Sequence, residues 1–187
     1  MRLGFAYVAL STIFGLLLLS SVVVAQTNSI VFPDVEAWEK GDKTTYPTAE
    51  LGYSVPYQSE TGGSVTIYVY NGGLGKIADG IDDQKVKNEI RKAEDDIKKY
   101  GDAGYYQDVK LIKSESAKLG GKNGIARALY SLFNFKIRGA EVESEIYLFG
   151  YKNNFIKIRT TRKKGNNGAE NAEVNKLLLE IGKQFVQ

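Results

Sequence analysis

Between Leu51 and Tyr70 the chain alternates apolar and polar residues in two successive runs. Val65, Ile67 and Val69 take turns with Thr66, Tyr68 and Tyr70; before them Leu51, Tyr53, Val55 and Tyr57 take turns with Gly52, Ser54 and Pro56. A period of two in β-branched and aromatic residues makes a strand with one face toward a core. Ser59-Glu-Thr-Gly-Gly63 between the runs is turn chemistry, so residues 51–70 read as an antiparallel hairpin. Pro56 has no N–H to give a ladder, which sends the first strand to a sheet edge or a bulge.

The first 25 residues obey different rules. Arg2 is followed by an almost wholly apolar run from Leu3 to Val24, and Val23-Val24-Ala25 supplies small residues for cleavage. This is the pattern of a secretory signal peptide cut between Ala25 and Gln26. The run exceeds the roughly 7 to 15 residues of a typical signal core, so an uncleaved membrane anchor is the alternative. Membrane contact is expected only in that second case. With no cysteine in the chain, neither a disulfide nor a thiol for lipid attachment is available.

What the sequence lacks limits its chemistry more than what it contains. The chain has no histidine and no cysteine, which removes the usual zinc sites, the Ser-His and Cys-His nucleophile pairs and the commonest general base near neutral pH. Without residues 1–25, 24 basic residues face 22 acidic ones, a net charge of +2. So small an excess gives no concentrated basic face for nucleic acid. No cofactor is expected.

Three segments invite a site and have a plainer reading. Residues 26–50 read as an extended arm with at most one short strand or turn, its Trp38 packing the arm onto the domain rather than holding a ligand. Gly73-x-Gly75-x-x-Ala78, with Asp95 about 20 residues on, fits the relaxed dinucleotide fingerprint. No helix opens at those glycines, and Gly75-Lys76 lacks the flanking residues of a P-loop, so a loop with glycines at positive φ is expected. Asp79, Asp82 and Asp83 lack the order of an EF-hand loop and read as helix capping by Asp82 or Asp79. The helix they open runs from Asp82 to Tyr100, with Val86, Ile90, Ala93, Ile97 and Tyr100 as its apolar stripe and Gly101 at its end.

Beyond it, Tyr105–Ser114 reads as a strand and Glu115–Gly124 as a flexible connection. Ile125–Ile137 is a long strand apolar on both parities, which calls for cover on both sides of a sheet. Glu141–Gly150 and Asn154–Thr161 form the last hairpin. If Ile146 and Leu148 share a face with Ile156 and Ile158, the loop must hold an odd number of residues, such as Tyr151-Lys152-Asn153. That register sets Glu145 across from Arg159 and Glu143 across from Thr161. Glu143 and Glu145, two positions apart, have the spacing of a glycosidase acid pair but read more simply as a cross-strand charge ladder. Arg162, Lys163 and Lys164 lead into the basic loop Gly165-Asn-Asn-Gly168, solvated or touching acidic lipid or polysaccharide. Asn171–Gln187 closes the chain as a helix burying Val174, Leu177, Leu178, Ile181 and Phe185.

The expected fold is α+β: a largely antiparallel sheet in an α/β/α-type sandwich, ordered β-β-α-β-β-β-β-α over residues 51–187, after signal peptide 1–25 and arm 26–50. The segments Leu51-Gly-Tyr-Ser-Val-Pro-Tyr57, Thr66-Ile-Tyr-Val-Tyr70, Ile77-Ala-Asp-Gly80 and Phe155-Ile-Lys-Ile-Arg159 resemble a family of exported bacterial proteins of unknown function, over most of residues 45–185. The element order is similar to that of the PsbP-like extrinsic photosystem subunits and related bacterial envelope proteins. That likeness implies a sandwich and an envelope address, and carries no site across. The functional expectation is an exported, periplasmic or secreted, non-catalytic domain that binds an envelope protein or a small ligand, not nucleic acid. Tyr68 and Tyr70, on the strand face opposite Val65 and Ile67, either pack under a helix or line a groove that would form that surface, with Arg162, Lys163 and Lys164 as its other candidates. The alternatives are a hydrolase using Glu143 and Glu145 or a Ser116–Lys118 nucleophile pair, and a purely structural envelope protein.

Overall fold

The computed structural model describes residues 30–165 and 169–185. The leader and most of the 165–168 loop lie outside the described residues. Among those described, eight strands form one sheet, every neighbouring pair antiparallel, with two α-helices: a mixed, sheet-rich fold. In chain order these are β1 (Trp38–Lys40), β2 (Thr44–Thr45), β3 (Tyr53–Ser59), β4 (Ser64–Tyr70), α1 (Gln84–Asp102), β5 (Gln107–Lys118), β6 (Arg127–Ile137), β7 (Ala140–Tyr151), β8 (Asn154–Lys163) and α2 (Ala169–Gly182). Across the sheet they run β1-β3-β4-β8-β7-β6-β5, with β2 also on β3.

The alternation read in the 51–70 stretch is realised in β3 and β4. Val65, Ile67 and Val69 join Val55, Tyr57, Ile156 and Ile158 in a core closed by Val174, Leu177, Leu178 and Ile181 of α2. The arm contributes Phe32, Val35 and Trp38 to the same core. On the opposite face Val86, Ile90, Ala93 and Ile97 of α1 pack on Phe133, Phe135, Val142, Ile146, Leu148 and Phe155. The two-sided apolar pattern of β6 is thereby used in full: Ala128 faces α2, and Phe133 and Phe135 face α1. Ile125 precedes the strand and is exposed.

The arm is more structured than one strand or turn. Both β1 and β2 hydrogen-bond to the outer edge of β3, at Tyr57–Ser59 and Tyr53–Ser54. Pro56 falls in the gap between them, where its missing N–H costs no ladder bond and its carbonyl accepts from Gly41 N.

The β7–β8 hairpin departs from the expected register. Tyr151 pairs with Asn154, so the loop is the two-residue Lys152-Asn153, both residues at positive φ as a type I′ turn requires. Glu145 stands across from Thr160 and Glu143 from Arg162; Arg159 stands across from Ile146. An odd loop follows only where a single face is buried. Here Ile146 and Leu148 face α1 while Ile156 and Ile158 face α2, so neither apolar set is stranded by an even loop.

Other boundaries also move: β8 runs on through Arg162 to Lys163, and α2 ends at Gly182, with Phe185 in a 3-10 turn. Strand β5 runs on to Lys118, which puts Glu115–Lys118 in the ladder rather than in a flexible connection. Helix α1 is capped by Asp83, not by Asp82 or Asp79, and extends past Gly101 to Asp102, with Tyr100 half exposed. The Asp83 carboxylate accepts from Lys85 N at 2.9 Å and Ala78 N at 2.8 Å, and these bonds hold its pKa below the usual range.

Candidate functional site

The chemistry-bearing residues fall into three places. The first is the acid pair. Arg162 is only 8% exposed and bridges both carboxylates: Nη2 donates to Glu143 Oε2 at 3.2 Å and to Glu145 Oε1 at 3.1 Å. Its Nη1 lies 3.1 Å from Glu145 Oε2 but out of hydrogen-bond alignment. Burial works to lower the guanidinium pKa, and Glu145 with Glu143 behind it outweighs that and raises it. Thr160 and Tyr130 also donate to Glu145, at 2.9 and 3.2 Å. Burial and the Glu145 charge drive the Tyr130 hydroxyl well above the ordinary tyrosine range.

Such a network leaves little of Glu145 to act on a substrate. Both of its oxygens are engaged, and the acid pair is locked by one buried cation instead of standing free on either side of a bond. Arg162 is thereby the buried centre of an ion network, while Lys163 and Lys164 beside it are exposed. Ser116 and Lys118 lie exposed on the edge strand β5, and no hydrogen bond joins them among the described residues. The other buried carboxylate, Glu94 of α1, accepts from Ser114 and Ser131 beneath the helix.

The second place is a cleft of about 1190 Å³ at the end of the sheet where β3 begins and β4 ends. Three stretches wall it: Lys43–Tyr53, the glycine-rich loop from Asn71 to Asp79, and the Lys152–Asn154 turn. Tyr53, Val69, Ile77 and Ile30 supply its apolar lining. Lys43, Lys76 and Lys152 stand around it, and none is ion-paired among the described residues.

The glycine-rich loop is a wall rather than a phosphate cradle. Gly73 N donates to Asn71 Oδ1, Ile77 N to Asn153 Oδ1 at 2.8 Å, Ala78 N to Asp83, and Gly80 and Gly150 exchange two backbone bonds of 2.8 Å. Asp79 Oδ1 in turn accepts from Lys152 N at 2.7 Å. These N–H groups serve the fold and do not converge on an anion. A Cβ on Gly150 would sit 2.0 Å from the Ala78 carbonyl oxygen, so only glycine lets the loop close onto β7. Among the described residues no group of three potential metal ligands occurs.

The third place is the part of the α1-side sheet face carried by β4 and β8. Tyr68 and Tyr70 point this way, opposite Val65 and Ile67, and Lys157 is the cross-strand partner of Tyr68. The Lys157 ammonium lies 4.8 Å from the Tyr68 ring centroid and 5.3 Å from that of Tyr70. Tyr70 donates to Glu89 of α1 at 2.7 Å, and burial with that charge pushes its pKa well above the usual range. Tyr70 thus packs under the helix; Tyr68 lies two residues away on the same strand face and is partly buried.

No family model matches this chain, and no curated protein matches it. The site therefore rests on geometry. The structure does not bring the sequence candidates together: Tyr68 and Tyr70 lie on the α1 side of the sheet, Arg162 on the α2 side. Lys43, Lys76 and Lys152 escaped the sequence reading because they come from three separate segments and share no spacing. Lys157 and Arg159 were visible as cations two apart on a strand, but the expected register assigned them to a charge ladder.

Proposed function

We propose that the chain is an exported cell-envelope protein that binds a small ligand without turning it over, and that the cleft at the end of the sheet holds it. The observation that carries this reading is the lining of the cleft: among the described residues, an apolar floor and three lysines outside any ion pair, against one acid, Asp79. A mostly apolar concavity with a few polar groups is the usual form of a small-molecule site. The excess of positive charge selects a ligand with an apolar body and an anionic group. Against turnover stand the missing histidine and cysteine and the arginine-locked state of Glu143 and Glu145.

An envelope address is supported by the apolar leader and its small-residue cleavage pattern, and amino-terminal sequencing of the exported chain should begin at Gln26. We place the chain among α/β/α sandwiches of PsbP-like type, in the order β-β-α-β-β-β-β-α. The support is one helix packed on each face of an antiparallel sheet. The arm strands β1 and β2 stand ahead of that order.

Dodecanoate, dodecanol and dodecylamine test the cleft by calorimetric titration. Dodecanoate should bind saturably and dodecylamine should not. Replacing Lys43, Lys76 and Lys152 together by serine should weaken dodecanoate about tenfold, as three exposed charge contacts of a few tenths to 1 kcal/mol each would give, and leave dodecanol unchanged. Equal binding of acid and amine, or none of either, would reject the reading.

A further inference from the structure

Beside α1 the sheet carries two cations that the fold does not neutralise. Lys157 and Arg159 are two apart on β8, so both side chains leave the same face, with Cα atoms about 7 Å apart. Both are half-buried. Neither is ion-paired among the described residues. Arg159 meets hydroxyls: Nε donates to Ser144 Oγ at 3.1 Å and Nη2 to the Tyr106 hydroxyl at 3.2 Å. Among the described residues Lys157 meets the faces of Tyr68 and Tyr70.

Half-buried charges are ordinarily matched by a counter-charge, because partial desolvation costs free energy that ring faces and neutral hydroxyls do not fully return. The cost is felt here: burial pushes the Lys157 amine below the usual lysine range, and the more distant charges of Glu89 and Asp96 oppose the shift without reversing it. Glu89, the acid closest in influence, is engaged by the Tyr70 hydroxyl and lies 3.8 Å from Lys92. Among the described residues no acid supplies the counter-charge.

The surroundings define its chemistry. Thr66 stands across from Arg159, and Ser64 across from Thr161 in the next row, so partly exposed hydroxyls border the cations. Tyr106 has its ring stacked with Phe135 and Tyr100 and lies under the Arg159 guanidinium at 5.8 Å, and Tyr68, under the Lys157 ammonium, is partly exposed. From Lys157 to Thr161 this row runs about 13 Å along the strand, with Lys157, Arg159 and Thr161 each partly exposed. Such a strip suits an extended chain carrying oxyanions at intervals, with polar ring substituents and flat faces between them.

We propose that this strip binds an acidic polysaccharide, with Lys157 and Arg159 receiving its carboxylate or sulfate groups and Tyr68 lying against a sugar ring. The site is distinct from the cleft and does not depend on it: neither Lys157 nor Arg159 lines that cleft.

The test is a titration of the full exported chain with polygalacturonate, dextran sulfate, unmodified dextran, duplex DNA and inorganic phosphate. One or both acidic polysaccharides should bind, the better of the two telling carboxylate from sulfate, and unmodified dextran should not. Lys157→Met and Arg159→Met should each weaken binding at least tenfold. Glu89→Gln, which keeps an acceptor for Tyr70 and removes a nearby negative charge, should strengthen it two- to fivefold. Far-ultraviolet dichroism and melting temperature establish that each variant folds, and the Glu89 variant tests the site by a gain that misfolding cannot imitate. Dextran binding as well as its sulfate, DNA or phosphate binding as tightly as the polysaccharides, or indifference of affinity to all three substitutions would overturn the proposal.

Discussion

A single side chain, Arg162, decides how the acids of β7 are read. Two carboxylates two positions apart on a strand are chemically ambiguous until their partner is known. In this molecule the partner is one guanidinium, 8% exposed, reaching both. Removing one member of a buried ion cluster costs more than the cluster contributes, because it strands the remaining charges away from water. Arg162→Met should therefore destabilise the fold by about 3 kcal/mol in urea denaturation, the low end of the usual range because Glu143 retains some exposure. Adding Glu143→Gln and Glu145→Gln to that variant should recover at least half of the loss, since neutral amides no longer require a cation. Failure of the triple variant to recover would mean that Arg162 acts by packing its stem and not by its charge.

At the scale of the element, the β7–β8 turn shows where sequence reasoning runs out. The alternation in each strand was legible, as were the position of the hairpin and the two-sided apolar character of β6. What the pattern could not give was which parity of β8 matches which parity of β7, because with a helix on each face the apolar parity of one strand need not share a face with that of the next. Turn chemistry then decides, and Lys152-Asn153 is a weak signal beside Asn-Gly. The same blindness hid the partner of Glu143 and set Arg159 in the wrong role; the cleft lysines were hidden because loops carry no period. Lys152 and Asn153 adopt φ of 46° and 63°, and they differ in what their side chains do. Lys152→Gly should stabilise by about 0.5 to 1 kcal/mol by relieving left-handed strain, its backbone bond to Asp79 retained. Asn153→Gly should instead be neutral or destabilising by about 1 kcal/mol, because Ile77 N loses its acceptor. Thermal melts of the two single variants give the signs; equal stabilisation would show that the cross-brace to the glycine-rich loop carries no weight.

For the whole molecule, the arm is where the α2-side core is completed. Phe32 and Phe185 approach to 6.3 Å between ring centroids, Tyr57 donates to the Pro33 carbonyl at 2.8 Å, and Trp38 Nε1 donates to the Glu173 carbonyl at 3.3 Å. Burial, with Asp34 nearby, pushes the Tyr57 hydroxyl up to about 12, so this bond persists through the alkaline range in which exposed tyrosines ionise. The arm therefore ties β3 to the start of α2, two elements more than 100 residues apart in the chain. Trp38 is the residue that touches both sides: it pairs with Ser59 in the sheet and reaches α2 through its indole N–H. A buried tryptophan truncated to alanine loses its transfer free energy and leaves a cavity, together about 3 to 5 kcal/mol. Trp38→Ala should lower the melting temperature by several degrees and raise hydrogen exchange in both β3 and α2, while α1 on the opposite face and the β5–β6 pair at the opposite edge of the sheet keep their protection. An unchanged melting temperature would detach Trp38 from the core and make it a candidate ligand contact. Equal loss of protection in α1 would mean instead that the two faces unfold as one cooperative unit, so that the arm holds the entire domain and not only the face it covers.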